Sequence, residues 1–112
     1  MRDIDTTIYF YRRLGFDQVF ATVNDGDRVA FMRQNGLVLE LYESRNAAGK
    51  PGAIDHLSLD VTDIEAAFIA AKEMGCKLLD EEIQFLPFWT AGVRFFTIEG
   101  ANAEKIEFCQ ML

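Results

Sequence analysis

Three side chains in this sequence have the types and placement to share a cation: Glu40, His56 and Glu107. His56 is the only histidine and lies in "AIDHLSLDV", Ala53 to Val61. Apolar and polar residues alternate there, so the stretch reads as a strand. Leu57, Leu59 and Val61 take one face, and His56, Ser58 and Asp60 take the other. In "GLVLELYE" the same parity sets Val38, Glu40 and Tyr42 opposite Leu37, Leu39 and Leu41. In "EKIEFCQ" it sets Lys105, Glu107 and Cys109 opposite Ile106 and Phe108. If helices cover the apolar faces, one imidazole and two carboxylates project together from the other. That donor set suits a divalent cation such as Zn²⁺, Ni²⁺, Mn²⁺ or Fe²⁺. The plainer reading is a hydrogen-bonded strand histidine and two solvated glutamates. The equivalent placement of the glutamates favours the cation.

That equivalence comes from an internal repeat. "RDIDTTIYFYRRLGF" from Arg2 matches "TDIEAAFIAAKEMGC" from Thr62, an offset of 60. Both read as amphipathic helices, near 3–14 and 63–75. Ile4, Thr7, Ile8, Tyr11 and Leu14 form one apolar face, and Ile64, Ala67, Phe68, Ala71 and Met74 the other. Asp3 and Asp63 read as N-caps, and Gly15 and Gly75 as C′ glycines. "RVAFMRQNG" from Arg28 matches "GVRFFTIEG" from Gly92, an offset of 64. "VLELYE" from Val38 matches "KIEFCQ" from Lys105, an offset of 67, which sets Glu40 against Glu107. The second copy reads strand 54–61, helix 63–75, then strands 77–84, 92–99 and 104–110. The first copy starts on its helix, and its opening strand would lie before Met1. The units span 1–46 and 53–112, joined by a polar linker at about 43–53 with Gly49, Pro51 and Gly52. The fold expected is α+β: two βαβββ units, the first lacking its opening strand, forming an open curled sheet around a cleft in a single domain, 1–112.

Composition narrows the function. The chain has 112 residues, half of them hydrophobic, and a net charge of −7. The acidic balance argues against nucleic acid and anionic membrane surfaces, which reward clustered Lys and Arg. No apolar run approaches the roughly 18 residues that span a bilayer. The start, "MRDIDTT", is polar and does not read as a signal peptide. Cys76 and Cys109 lack metal-type spacing, and the plain expectation is a reduced, cytoplasmic protein.

The chain resembles the vicinal oxygen chelate superfamily, which includes glyoxalase I, fosfomycin- and bleomycin-resistance proteins, methylmalonyl-CoA epimerase and extradiol dioxygenases. The residues that carry the resemblance are "DIDTTIYFYRRLGF", "IDHLSLDVTDIEAAFIAAKEMG" and "GVRFFTIEGANAEKIEFCQ". It implies paired units curled around one metal, with ligands on the first and last strand of each. Glu40, His56 and Glu107 fall at three of those positions, and the fourth falls in the strand that the first unit lacks. A carboxylate at Glu40 points toward glyoxalase-like sites rather than dioxygenase ones. "EGANAEKIEF" is close to a segment of proteins described as lactoylglutathione lyase, with Ala101 and Ala103 where Pro and Gly are expected.

The function expected is a metal-dependent lyase or isomerase acting on a small carbonyl compound through a metal-stabilised enediolate. Glu40 or Glu107 would serve as general base. The cation would be held loosely, and a homodimer is expected because a lost strand exposes a sheet edge. The alternative is a non-catalytic small-molecule binding or resistance protein of the same fold. Phe85, Phe88 and Trp89 read equally as core filler or as an apolar rim. Arg33 and Arg94 read as solvated strand residues before substrate contacts, and Cys109 as an inert small residue before a soft ligand or oxidisable thiol.

Overall fold

A computed structural model describes residues 1–112. It divides into two compact units, Met1–Lys50 and Pro51–Leu112, within the polar junction read from the sequence. The fold class is α+β.

Unit 1 holds α1 (Ile4–Arg13), β1 (Asp17–Asn24), β2 (Asp27–Gln34) and β3 (Leu37–Tyr42). Its antiparallel sheet has the order β1-β2-β3. The Asp3 carboxylate opens α1 by accepting the Thr6 N–H at 3.0 Å, one of the donors that a helix start leaves unpaired. Ile4, Thr7, Ile8 and Tyr11 are buried, as their spacing predicts. Gly15, at φ +100°, ends the helix. Its N–H donates to Arg12 O and that of Phe16 to Tyr11 O, each at 3.0 Å. This is the paired closure that a left-handed residue permits, and the Tyr11 and Phe16 rings meet edge-on behind it, 5.5 Å apart. Ala30, Met32 and Leu41 form the buried face of the sheet.

Unit 2 holds β4 (His56–Asp60), α2 (Ile64–Glu73), β5 (Lys77–Leu78), β6 (Gln84–Leu86), β7 (Val93–Glu99) and β8 (Lys105–Met111). The strand order is β4-β8-β7-β5, with β6 also paired to β7. β4 runs parallel to β8, and the other pairs are antiparallel. Asp63 caps α2 by accepting the Ala66 N–H at 3.0 Å. Gly75, at φ +73°, closes it through the same two bonds, Gly75 N to Lys72 O and Cys76 N to Ala71 O. Ile64, Phe68, Ala71, Phe96, Ile98 and Ile106 are buried, and the Phe96 ring lies 5.0 Å from Phe68 and 5.2 Å from Phe108.

The repeat extends to individual bonds. Met1 N donates to Tyr42 O at 2.8 Å, and Val61 N to Cys109 O at 2.8 Å. Ile4 N donates to the Glu43 carboxylate, and Ile64 N to the Gln110 amide oxygen. These pairs reproduce the offsets of 60 and 67 (Met1 to Val61, Tyr42 to Cys109). Arg28 pairs with Asp5 on α1, and Arg94 with Glu65 on α2. Arg28 is therefore equivalent to Arg94, an offset of 66, and the match of Arg28 with Gly92 at 64 is displaced by two residues. Cross-strand register agrees: Phe31 faces Glu40, whereas Thr97 faces Glu107.

Two further differences appear. The strand expected over 77–84 is two short pieces, β5 and β6, because the acidic run Asp80, Glu81 and Glu82 interrupts it. In the turn before β8, Ala103 takes φ +60°, a left-handed conformation that costs a residue with a Cβ roughly 1–2 kcal/mol. The missing glycine there strains the turn and leaves Glu107 on the uncovered face.

Candidate functional site

Sheet parity decides which side chains are available for chemistry. In unit 2, α2 covers the face built from Phe96, Ile98 and Ile106. The opposite face carries His56, Ser58 and Asp60 on β4 and Lys105, Glu107 and Cys109 on β8. The parallel register sets Ser58 directly opposite Glu107, and Asp60 opposite Cys109.

His56 and Glu107 meet on this face. Nε2 of His56 lies 3.7 Å from Oε2 of Glu107, with side chains 42% and 20% exposed. Nδ1 of His56 lies 2.9 Å from Oδ2 of Asp55. Asp55 is held below the usual carboxylate range by the hydrogen bond from His56 and then by Lys105, whose Nζ lies 3.1 Å away. An ionised carboxylate only accepts, so Nδ1 carries the proton in that bond. Nε2 is then free to present a lone pair toward a carboxylate oxygen, which is also an acceptor. A cation or a proton reconciles two such groups.

The pair fits a metal as two ligands. Ligands about 2.1 Å from a tetrahedral cation lie about 3.4 Å apart, close to the spacing found. A carboxylate behind the ligating histidine is the usual outer partner that fixes its tautomer. Within either unit no three His, Cys, Asp or Glu side chains form a metal-binding group. Glu40 belongs to unit 1. It is exposed on the face of β3 turned away from α1, next to Phe31 on β2.

The sequence reading missed what surrounds the pair. The Ser58 hydroxyl donates to Oε1 of Glu107 at 2.7 Å, and its oxygen lies 3.2 Å from the Cys109 sulfur. The Cys109 thiol lies 3.3 Å from Oδ1 of Asp60. Burial, above all, pushes the Cys109 thiol up, and the nearby Asp60 and Glu107 carboxylates add to this. A raised thiol disfavours the thiolate, the form that acts as ligand or nucleophile. Same-face parity was the one sequence signal for Ser58. Its partner is 49 positions away, and only the β4–β8 register reveals it.

Other candidates separate cleanly. Phe85, Phe88 and Trp89 are 57%, 56% and 77% exposed, which removes the core-filler reading. Trp89 also takes φ +61°. Arg94 is paired with Glu65 on the α2 side of the sheet, away from His56 and Glu107. In unit 1 a cavity of about 280 Å³ lies between α1 and the β1–β2 pair, lined by Ile4, Ile8, Ala21, Val29, Ala30 and Arg28 among others.

Comparison with known proteins bears on the same features. Residues 1–98 match the family described as the glyoxalase/bleomycin resistance protein/dioxygenase superfamily. The uncharacterized protein YwbC of Bacillus subtilis (strain 168) is 37% identical over 120 residues, covering 98% of this chain and 90% of YwbC. A glyoxalase family protein from Enterococcus faecalis has a similar structure, with a TM-score of 0.82 at 19% identity over 96% of this chain and 89% of that one. So does the fosfomycin resistance protein FosX from Listeria monocytogenes, solved with Mn(II) and sulfate, with a TM-score of 0.77 at 11% identity over 100% and 86%. Such low identities speak for the fold alone. With the family match spanning most of its length, this chain belongs to the glyoxalase/bleomycin resistance protein/dioxygenase superfamily.

Proposed function

We propose that the protein is a metal-dependent lyase or isomerase of the glyoxalase type, acting on a small carbonyl compound. One observation carries the reading: Nε2 of His56 and Oε2 of Glu107 lie 3.7 Å apart on an uncovered sheet face, with Nδ1 of His56 held by Asp55. His56 and Glu107 would hold the cation, with Glu40 as the third ligand and the two units acting as one domain. A bound divalent cation supplies Lewis-acid stabilisation for charge developing on two neighbouring substrate oxygens. Asp55 keeps the His56 proton on Nδ1, so that Nε2 stays an acceptor. Glu40 or Glu107 removes the proton alpha to the carbonyl and returns it to the adjacent carbon. FosX, solved with Mn(II), supports a cation on this fold.

Calorimetric titration with Zn²⁺, Ni²⁺ and Mn²⁺ tests the reading. Wild type binds about one cation per chain, and His56→Ala and Glu40→Ala bind at least tenfold more weakly. Equal binding by wild type and His56→Ala removes His56 as a ligand. The second reading, a small-molecule binding protein without metal chemistry, has the apolar cavity of unit 1 in its favour, and wild type that takes up no cation selects it. Homodimerisation belongs to the same proposal. β3 is an edge strand with exposed Leu37, Val38 and Tyr42, and assembly is one way to cover such an edge. Sedimentation of the titrated samples reports the mass, and a monomer at high concentration ends that part. A cytoplasmic location suits Cys76 and Cys109, which form no disulfide.

A further inference from the structure

We propose that Ser58 is a positioning residue that makes Glu107 present one oxygen, not two, toward His56. The inference rests on the metal reading above and goes beyond its ligand set. Ser58 and Glu107 are directly opposed in the parallel β4–β8 pair, and the hydroxyl lies 2.7 Å from Oε1. Ser58 has one proton and two neighbours, the Glu107 carboxylate at 2.7 Å and the Cys109 sulfur at 3.2 Å. The shorter, charge-assisted bond takes the proton. The Cys109 sulfur, the more distant of the two, has a partner of its own in the Asp60 carboxylate at 3.3 Å. Asp60, Cys109, Ser58 and Glu107 thus form a chain of contacts ending on Oε1. The other oxygen, Oε2, faces Nε2 of His56 at 3.7 Å.

The consequence is chemical. A carboxylate that chelates through both oxygens takes two positions on a cation. One tied back by a hydroxyl takes a single position and leaves its neighbour for a substrate oxygen. Chemistry on two adjacent substrate oxygens needs those open positions. Unit 1 offers a contrast, since β3 lies at a sheet edge and Glu40 has β2 alone beside it.

The test uses wild type, Ser58→Ala and Ser58→Thr, with two readouts. Ser58 is exposed, and equal melting temperatures confirm that the variants fold. The first readout needs no metal: crystal structures of the three metal-free proteins. Glu107 holds one conformer in wild type and Ser58→Thr and leaves it in Ser58→Ala. The second is titration with Co²⁺ followed by visible absorption. Ser58→Ala binds about tenfold more weakly and gives a weaker band as the coordination number rises, and Ser58→Thr restores both. Glu107 unmoved in Ser58→Ala overturns the proposal. So does an unchanged Co²⁺ spectrum, or a Ser58→Thr protein that behaves like the alanine variant. If wild type takes up no Co²⁺, the metal reading fails, and the Glu107 conformer alone decides whether Ser58 holds it.

Discussion

The two units share a plan in which their packed faces agree bond by bond and their open faces do not. Each helix has an aspartate cap, a left-handed glycine closure and an acidic first-turn residue paired with a strand arginine. The closing glutamates have different neighbours. Glu40 lies on an edge strand next to Phe31, whose ring is 6.0 Å from that of Phe20. Glu107 lies between β4 and β7, with Ser58 on one side and Thr97 on the other. Packing constrains the covered face, because a change there that nothing compensates opens a cavity or strands a backbone group. The uncovered face meets no such demand, so the two copies can differ there without losing the fold. The difference teaches where chemistry can be installed.

The largest test of the comparison lies in the cores. Equivalent positions hold Phe96 in unit 2 and Ala30 in unit 1, with 0% and 1% exposure. Unit 1 keeps its aromatic bulk on the helix side, in Phe10, Tyr11 and Phe16. Phe96→Ala should cost about 3–5 kcal/mol, and Ala30→Phe about 1–3 kcal/mol by overpacking. Urea unfolding measures both, and near-neutral values would show that the equivalence is wrong. The helix closures come next. Gly15→Ala and Gly75→Ala each force a Cβ onto a left-handed residue, at about 1–2 kcal/mol. At Gly75 a Cβ meets nothing within 4 Å, but at Gly15 it would come within 2.6 Å of Gln34 Nε2. That nitrogen donates to Leu14 O, so Gly15→Ala also loses a hydrogen bond, about 1 kcal/mol more. Equal losses at the two glycines would remove Gln34 from the account.

Most of this plan was legible in the sequence. The helix caps, the closing glycines and the offset of 60 are local signals, written within one turn of each helix end. The faces of Glu40, His56 and Glu107 were legible because strand parity needs only alternation. The β2–β7 match failed by two residues for the same reason. A shift of two preserves every face, so Val29 and Phe31 match Val93 and Phe95 as well as they match Phe95 and Thr97 by pattern. The pairing of Arg28 with Asp5 and Arg94 with Glu65, together with the cross-strand register, removes the ambiguity. The interrupted strand at 77–86 and the clasp of Ser58 on Glu107 depend on which strands lie side by side, which no local pattern records.

The smallest expected effect comes from those arginine pairs. Arg28 grips Asp5 through two bonds, at 2.9 and 2.8 Å, whereas Arg94 reaches Glu65 through one at 3.0 Å. The bonds from Arg28 hold the Asp5 carboxyl below its ordinary value of 3.8. A carboxylate depressed on folding stabilises the native state above its unfolded pKa, and that contribution fades as pH falls through the depressed folded value. Asp5→Asn should therefore unfold at a slightly lower urea concentration than wild type at neutral pH. The two curves should converge in acid, below the ordinary carboxylate range. Both partners are exposed, so the gap stays small and shrinks further in high salt. Glu65→Gln, with one bond to lose, should show a smaller gap still. A gap for Asp5→Asn that widens in acid, or that ignores salt, would break the link between the two-bond grip and the stability of unit 1.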